Sequence, residues 1–261
     1  MKLAISCQLD YEIEQNTPLI LMLRPRSGSG QWIIKEEYLL EPSVPVSEYT
    51  DLYGNLCQRL FTPQGSFTIK TSAVVEVTEQ IDVDFSANFV PVQELPDESL
   101  IYLLPSRYCE SDKMGNLVTT IVKDTQTGYE QVETIRQWIY ENIRYEYGYS
   151  NASTSAQNTS EGRVGVCRDF SHLGVALCRS INIPARFVVG YLHELKPMDL
   201  HAWFEAYLGG RWYTFDATQT EPKGNRVVLA YGRDAADVAL ATQFGNMELV
   251  SMFVNVEQAQ E

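Results

Sequence analysis

The chain is poor in positive charge, with 20 Lys and Arg against 34 Asp and Glu and a formal net charge of -14. An acidic protein repels phosphate backbones, which argues against a nucleic-acid partner. No apolar run approaches the length of a membrane-spanning helix. The first stretch, MKLAISCQLDYEIEQ, is too short in its apolar part and too charged for a secretory signal. We therefore expect a cytoplasmic protein that binds neither nucleic acid nor a membrane.

Cysteine is also scarce and shows no paired pattern. The five residues form no CxxC spacing and leave an odd count, so neither a disulfide framework nor a zinc site is indicated. His193, Asp199 and His201 could be combined into a metal site, but their spacing matches no recognised ligand pattern. We expect no cofactor and no metal ion, and the sequence leaves the oligomeric state open.

The first hundred residues have the pattern of β structure. Apolar side chains alternate with mostly polar ones from Leu3 to Ile13, which is typical of a half-buried strand. Turn-forming stretches follow, and 66–84 contains at least one more long strand. We predict an α+β protein whose residues 1–105 form an N-terminal antiparallel β-sandwich.

A Pro-bearing and charged segment, 105–118, marks the predicted boundary to a second domain at 118–261. The first helix there follows the capping-box pattern that begins at Thr127. Apolar spacing predicts a second helix from Asp169, then a buried strand ARFVVGYL and a β-hairpin around Gly209 and Gly210. The polar stretch 150–162 is interpreted as a solvated loop, and little is assigned to 219–261.

Cys167 stands at the predicted start of that second helix. A sulfur there lies near unpaired backbone N–H groups and the positive end of the helix dipole, which favour the reactive thiolate. Gly165 permits the tight approach that such a corner needs. Cys178, further along the same helix in an apolar stretch, has no such activation and is interpreted as a core residue.

The hairpin supplies a partner for the sulfur. If Gly209 and Gly210 form a two-residue turn, His201 lies opposite Thr218, and Asp216 is its diagonal neighbour on the same face, about 7–8 Å away at Cα level. A three-residue turn would reverse the parity and separate them. The geometry therefore predicts a His–Asp pair on a polar face.

Cys167, His201 and Asp216 together have the chemistry of a nucleophile, a base and a group that orients the base. The backbone N–H of Cys167 is the expected oxyanion donor, and a tyrosine of 145–149 is a candidate wall or second donor. Other polar residues receive structural interpretations. These are His172 (packing or capping), His193 (a solvated loop), Asp169 (the helix dipole) and Trp203 (packing).

The stretches GVCRDF, HAW and DAT, in this order, resemble the bacterial transglutaminase-like cysteine peptidase family, whose core has G-x-C-x-D-[FY], H-A-W and D-P-T motifs. The stretches LRPR, EYTDLYGN and PQGSFTIKTSAVVEV are similar to the β domain that precedes the core in many members. The resemblance implies a papain/transglutaminase-like α+β core with catalytic Cys, His and Asp, which correspond to Cys167, His201 and Asp216. Ala217 departs from the family, which usually has Pro there.

The function implied by this resemblance is a cysteine peptidase or amide hydrolase that forms a thioester intermediate on a peptide or protein amide. Transfer of the acyl group to an amine, as in transglutaminases, uses the same three residues and stays open. No dedicated metal loop suggests calcium dependence. A non-catalytic peptide-binding protein is the remaining alternative, although such a protein would be expected to have lost one of the three residues.

Overall fold

The structure, a computed structural model, describes residues 1–28, 30–125, 128–221 and 223–259. It confirms the α+β class: the first part consists of antiparallel strands, and the second adds helices around a four-stranded sheet. No helix in these described ranges is both long enough and apolar enough to cross a membrane.

The N-terminal part is built from six strands. They are β1 (Lys2–Ile13), β2 (Thr17–Leu21), β3 (Gln31–Glu41), β4 (Val46–Thr50), β5 (Leu56–Thr62) and β6 (Gly65–Val77). The alternation predicted for the first strand is confirmed, because every second side chain from Leu3 to Ile13 is buried. The strands divide between two sheets whose inner faces contribute to one hydrophobic core.

The C-terminal segment completes both sheets of this N-terminal part. Strands β13 (Ala241–Gln243) and β14 (Met247–Gln258) lie antiparallel to β2 and β1, giving the sheet orders β13-β2-β5-β4 and β14-β1-β6-β3. The sequence pattern assigns little structure to 219–261 and places it in the second domain. The pairing is not predictable from that pattern, because the partner strands lie more than two hundred residues away in the chain.

The second part contains the helices. They are α1 (Asp97–Leu100), α2 (Gly115–Val122), α3 (Tyr129–Asn142), α4 (Ala156–Gly162) and α5 (Cys167–Ser180), with short 3-10 turns at Val92–Glu94, Ile101–Leu103 and Ser111–Lys113. Thr127 of the predicted capping box lies outside the described residues. At the start of α3 the N–H of Gly128 donates to Oε1 of Gln131 at 3.3 Å.

The polar stretch 150–162 is not only a loop, because it contains α4. Ser155 and Asn158 form a capping pair in which the Ser155 N–H donates to Oδ1 of Asn158 at 3.1 Å. Ala156 and Thr159 are buried on the side that packs on the rest of the domain. The interpretation as a solvated loop was wrong because two small side chains are enough to bury one face of so short a helix.

The central sheet has the order β11-β10-β9-β12. Its strands are β9 (Ala185–Leu192), β10 (His201–Leu208), β11 (Arg211–Phe215) and β12 (Arg226–Gly232). The two-residue hairpin turn is confirmed: Phe204 faces Phe215 and Leu208 faces Arg211. Gly209 and Gly210 connect the strands with φ of 55° and 91°, the left-handed region that glycine adopts at low cost.

Helix α5 lies against this sheet and is buried from Asp169 to Arg179. The predicted apolar stripe is present, but the opposite side is covered too, because helices pack there. Gly174 lets the helix approach the sheet, since a Cβ at that position would lie 2.5 Å from a ring carbon of Phe204. The buried guanidinium of Arg179 donates to the backbone carbonyls of Ala185 and Leu104, among others, which offsets part of the cost of its burial.

Two side-chain amides join the N-terminal part to the edge of the central sheet. Gln31 donates to the Val228 carbonyl at 2.9 Å and accepts from the Val228 N–H at 2.7 Å. Asn55 does the same for Tyr231, at 2.7 and 2.8 Å. Each amide thus replaces the backbone of a further strand, so that polar groups of β12 are satisfied at a buried contact.

Candidate active site

Cys167 is the first residue of α5, and its side chain is partly exposed. The carboxylate of Asp169 accepts a hydrogen bond from the Val166 N–H at 2.9 Å and so closes the first turn. This confirms the structural interpretation of Asp169. The N–H of a first helical residue has no partner within its helix, and the sulfur lies at the positive end of the helix dipole.

A short parallel pair of strands delivers the chain to this helix. Strand β7 (Arg144–Tyr145) lies beside β8 (Val164–Gly165), with Tyr145 opposite Gly165. A Cβ at Gly165 would lie 2.7 Å from that of Asp169, which explains the glycine at this corner. The pairing brings the Tyr145 hydroxyl to Cys167, where it accepts a hydrogen bond from the Cys167 backbone N–H.

The structure brings His201 and Asp216 together as the hairpin parity predicts. Nε2 of His201 lies 2.8 Å from Oδ2 of Asp216, and both residues are buried. His201 opens β10, and Asp216 directly follows the last residue of β11. Cys167 is within hydrogen-bond reach of the same imidazole. Because Nε2 is occupied by the carboxylate, Nδ1 is the ring nitrogen left for the sulfur.

Asp216 has four hydrogen-bond contacts. Oδ1 accepts from the Thr218 hydroxyl at 2.7 Å and from the Thr218 N–H at 3.0 Å. Oδ2 is shared between His201 and the guanidinium of Arg226, each at 2.8 Å. Burial alone would raise the pKa of the carboxyl, but the adjacent charges of His201 and Arg226 hold it well below its usual range. Asp216 is therefore a fixed anion behind the imidazole.

The protonated form of His201 is correspondingly favoured. Burial would lower its pKa, but the charge and hydrogen bond of Asp216, aided by Cys167, raise it to about 9. An imidazolium next to a thiol stabilises the thiolate, and the pair can attack a carbonyl carbon and then protonate a leaving group.

The other four cysteines lie in a different environment. Cys7, Cys57, Cys109 and Cys178 are all buried. Burial raises the pKa of the Cys7 thiol to about 12, and it raises the pKa values of Cys57, Cys109 and Cys178 as well. Cys178 is fully enclosed in the core between α5 and the sheet, as the sequence predicts.

A cleft of about 570 Å³ opens over His201 and Thr218. One wall is aromatic and comes from α3 and the segment after it: Tyr140, Tyr145 and Tyr147. The cleft is as much polar as apolar, with Lys196 and Gln219 among its lining residues. The expected role of 145–149 as a wall is therefore seen for two of its three tyrosines, while Tyr149 does not line this cleft.

His172 has the structural role that the sequence predicts. His172 stacks on Tyr108 with 5.1 Å between ring centroids and accepts a hydrogen bond from the Ala235 N–H. Burial holds its pKa well below the usual value, so it is a neutral core residue. Within the described ranges no group of three or more His, Cys, Asp and Glu side chains could hold a metal ion, so His193 and Asp199 do not join His201 in such a cluster.

Ala217, which stands where the family usually has a proline, is buried. The segment after β11 in which it lies is held by other contacts. Besides the two bonds from Thr218, the guanidinium of Arg136 on α3 donates to the Gln219 carbonyl at 2.7 Å. These contacts fix the backbone that follows Asp216 without the proline ring.

Sequence reasoning missed Arg226 and did not single out Tyr145. Arg226 begins β12, ten residues after Asp216, and nothing in its local pattern distinguishes it from a solvated arginine. Tyr145 was one of three equivalent tyrosines, and only the parallel pairing of β7 with β8 selects it. Thr218 could be placed opposite His201 by register, but its bonds to Asp216 follow from the turn after β11.

Two family models match separate parts of the chain. The transglutaminase-like superfamily model matches residues 115–217. The model of the bacterial transglutaminase N-terminal domain matches residues 1–98. The first of these ranges contains Cys167, His201 and Asp216.

Two of the three similar proteins described next match more than four fifths of the chain. The crystal structure of a protein described as a "Putative Cysteine Protease" from Cytophaga hutchinsonii is 37% identical, covers all of this chain and 91% of its own, and superposes with a TM-score of 0.93. An uncharacterised protein of Mycobacterium leprae is 28% identical over 233 residues, which is 83% of this chain and 82% of that protein. The uncharacterised protein YebA of Bacillus subtilis is 23% identical over 145 residues, 45% of this chain and 20% of its own.

Proposed function

Because the chain belongs to the transglutaminase-like superfamily, we propose that it is a cysteine-dependent hydrolase of peptide or protein amides. Cys167 is the nucleophile, His201 the general acid and base, and Asp216 the group that orients and charges the imidazole. The observation that supports this most strongly is the buried contact of 2.8 Å between His201 and Asp216, in an imidazole that also reaches Cys167.

The reaction proceeds in two halves. The thiolate of Cys167 attacks the amide carbonyl, and the resulting tetrahedral intermediate collapses when His201 gives its proton to the leaving amine. This leaves a thioester on the sulfur. His201, now neutral, takes a proton from water as the water attacks the thioester, and the carboxylic acid leaves while the thiolate and imidazolium are restored. A primary amine in place of water would complete an acyl transfer on the same residues.

Two donors support the oxyanion of the tetrahedral intermediate. The backbone N–H of Cys167 is one, because it lies at the helix start beside the sulfur. The Tyr145 hydroxyl is the second, since it lies within hydrogen-bond distance of that N–H. A carbonyl oxygen that enters between them can accept from both. Tyr145 keeps its proton for this purpose, as burial and the adjacent Cys167 raise its pKa far above the ordinary value.

Replacing Tyr145 by phenylalanine is expected to lower kcat by about 10- to 100-fold with little change in KM, because the lost hydrogen bond forms fully only in the transition state. Steady-state hydrolysis of a peptide amide measures this. Tyr140→Phe is the matched control: it lines the same cleft from α3 and should leave kcat within about twofold. Equal effects of both variants would remove Tyr145 from the oxyanion site.

The nucleophile is tested by alkylation of the native protein. With iodoacetamide at about pH 6, Cys167 should react at least about 100-fold faster than the other four cysteines, because only it has an imidazolium partner and solvent access. Mass spectrometry of tryptic peptides after graded exposure gives the five rates. Slow labelling of all five at similar rates would contradict the assignment and favour a non-catalytic peptide-binding protein.

Substrate class is tested by an activity screen with peptide, glutamine and amine donors. Hydrolysis alone supports the amidase, whereas incorporation of a labelled amine supports acyl transfer. Hydrolysis should decline as the pH rises through about 9, because His201 must carry a proton for the leaving amine. Alkylation needs no such proton and should not decline there, so the two profiles separate the nucleophile from the acid.

A further inference from the structure

Arg226 is a buried cation directly behind the candidate site. It is the first residue of β12, and 8% of its surface is exposed. Its Nη2 donates to Oδ2 of Asp216 at 2.8 Å, and its Nε donates to the Lys223 carbonyl at 2.8 Å. Nη1 has no hydrogen-bond partner among the described residues. Because burial leaves one of its donors unpaired, hydrogen bonding alone does not account for a guanidinium here.

Two cations share one carboxylate oxygen at this point. Oδ2 of Asp216 accepts from both Arg226 and His201, while Thr218 occupies Oδ1. The carboxylate of Asp216 cannot rotate to bring Oδ2 closer to one of these partners without lengthening its hydrogen bond to the other. Arg226 therefore fixes the direction in which Asp216 presents its charge to the imidazole.

An indole ring reinforces the same arrangement. The guanidinium carbon of Arg226 lies 4.9 Å from the centre of the Trp203 ring, and the Trp203 and His201 rings are stacked with 6.2 Å between centroids. Trp203 is almost fully buried. A cation over an indole face is attracted by the ring, so Arg226 has a second contact that limits its movement.

Arg226 also changes the charge that His201 experiences. The ring meets Asp216 from the end of β11, Thr218 from the loop after it and Cys167 from α5. An isolated buried carboxylate would strongly favour the imidazolium, and a strongly held proton is slow to leave. A second positive charge on the same oxygen offsets part of that attraction.

From this geometry we propose that Arg226 is a positioning residue: by holding Oδ2 of Asp216 it orients the His201 imidazole toward Cys167 and restrains its basicity. The catalytic part of this proposal, the orientation of His201 toward a nucleophilic Cys167, rests on the proposed function. The contact and charge effects themselves do not depend on which substrate the protein takes.

The test compares Arg226→Met with the native protein by NMR of histidine labelled with nitrogen-15. The chain has three histidines, and His172 is a buried neutral reference, so the His201 ring signals can be followed across pH. Loss of a neighbouring positive charge makes proton uptake easier. The His201 titration midpoint should therefore move up by about half to one pH unit in Arg226→Met.

Arg186→Met is the matched control. Arg186 is a largely buried arginine on β9 whose Nε donates to the Glu205 carboxylate at 2.7 Å, on the same sheet but without contact to Asp216. It should lose stability without moving the His201 midpoint. An Arg226→Met midpoint that stays within about 0.2 of the native one overturns the proposal, since a purely structural arginine would produce that result.

Arg226→Lys covers the case in which the methionine variant does not fold. It keeps the charge, so the midpoint should stay, but a single ammonium replaces the planar guanidinium that bonds both Asp216 and the Lys223 carbonyl. Alkylation of Cys167 at about pH 6 should then slow by about 5- to 20-fold. An unchanged rate in this variant would overturn the positioning role.

The readouts distinguish the two proposals. Absence of selective Cys167 alkylation in the native protein would count against the proposed function, while the NMR comparison would still decide the effect of Arg226 on His201. Selective alkylation together with an unmoved midpoint and an unchanged Lys-variant rate would remove Arg226 and leave the proposed function standing.

Discussion

Cys167→Ala is expected to reduce amide hydrolysis to the background rate, a loss of at least about 10⁴-fold, because the other four cysteines are buried and cannot replace the proposed nucleophile. The fold should be unaffected. Cys167 is the partly exposed first residue of α5, and alanine is a strong helix former. Hydrolysis assayed alongside thermal unfolding separates loss of chemistry from loss of structure.

Cys178→Ala is the control on the same helix. Cys178 is completely buried among apolar side chains, so truncation leaves a small cavity and should lower the free energy of unfolding by about 1 kcal/mol. Its hydrolysis rate should stay close to that of the native protein. Residual hydrolysis in Cys167→Ala above a few per cent of the native rate, on a folded protein, would mean that another residue supplies the nucleophile.

Asp216→Asn is expected to lower kcat by about 10³- to 10⁴-fold, since the carboxylate fixes the ring orientation of His201 and stabilises its charged form. It should also lower the free energy of unfolding by about 3–5 kcal/mol, because Arg226 is left as a buried cation without its anion. Hydrolysis and denaturant unfolding measure the two effects on one sample.

Glu205→Gln separates these effects. Glu205 is a buried carboxylate on β10 that pairs with Arg186 at 2.6 Å, so its loss resembles that of Asp216 in stability. It does not touch His201 and should keep most of the hydrolytic activity. A Glu205→Gln variant as inactive as Asp216→Asn would indicate that instability, rather than the His–Asp contact, causes the loss of activity.

The stability lost in Asp216→Asn should depend on pH in a defined way. The pKa of Asp216 is held below its ordinary value, so its contribution is present above about pH 4 and is lost as the pH falls through the folded value. The raised pKa of His201 gives a contribution that is complete below about 6.5 and is lost as the pH rises through about 9. The native and variant proteins should therefore differ most between about pH 4 and 6.5.

The α+β class and the hairpin register could both be predicted from local patterns of the sequence. The hairpin register is a local property, set by a two-glycine turn and a period of two, so the sequence alone predicts that His201 and Asp216 lie on one face. The helix start at Cys167 is likewise local, since Gly165 and Asp169 define it within one turn. Both predictions required only neighbours in the chain.

The features that the sequence did not predict depend on contacts between distant parts of the chain. Arg226 is part of the site because it pairs with the carboxylate of Asp216, which follows β11. Tyr145 is part of it because β7 pairs with β8, which places Tyr145 opposite Gly165. The helix α4 forms from a polar sequence because its side chains Ala156 and Thr159 are buried against the rest of the domain. In each case the local pattern was compatible with a solvated residue, and tertiary packing decided otherwise.

The pairing of β14 with β1 has a consequence for the order in which the protein acquires its structure during synthesis. As the ribosome extends the chain, β1 and β6 can form early, but the other edge of β1 stays open until residues 247–258 have been added. The segment 167–226, with Cys167, His201 and Asp216, leaves the ribosome before that strand does. Contacts between chain segments so far apart form slowly. The N-terminal sandwich is thus translated before the region that contains Cys167, His201 and Asp216, yet its last strand is translated after that region.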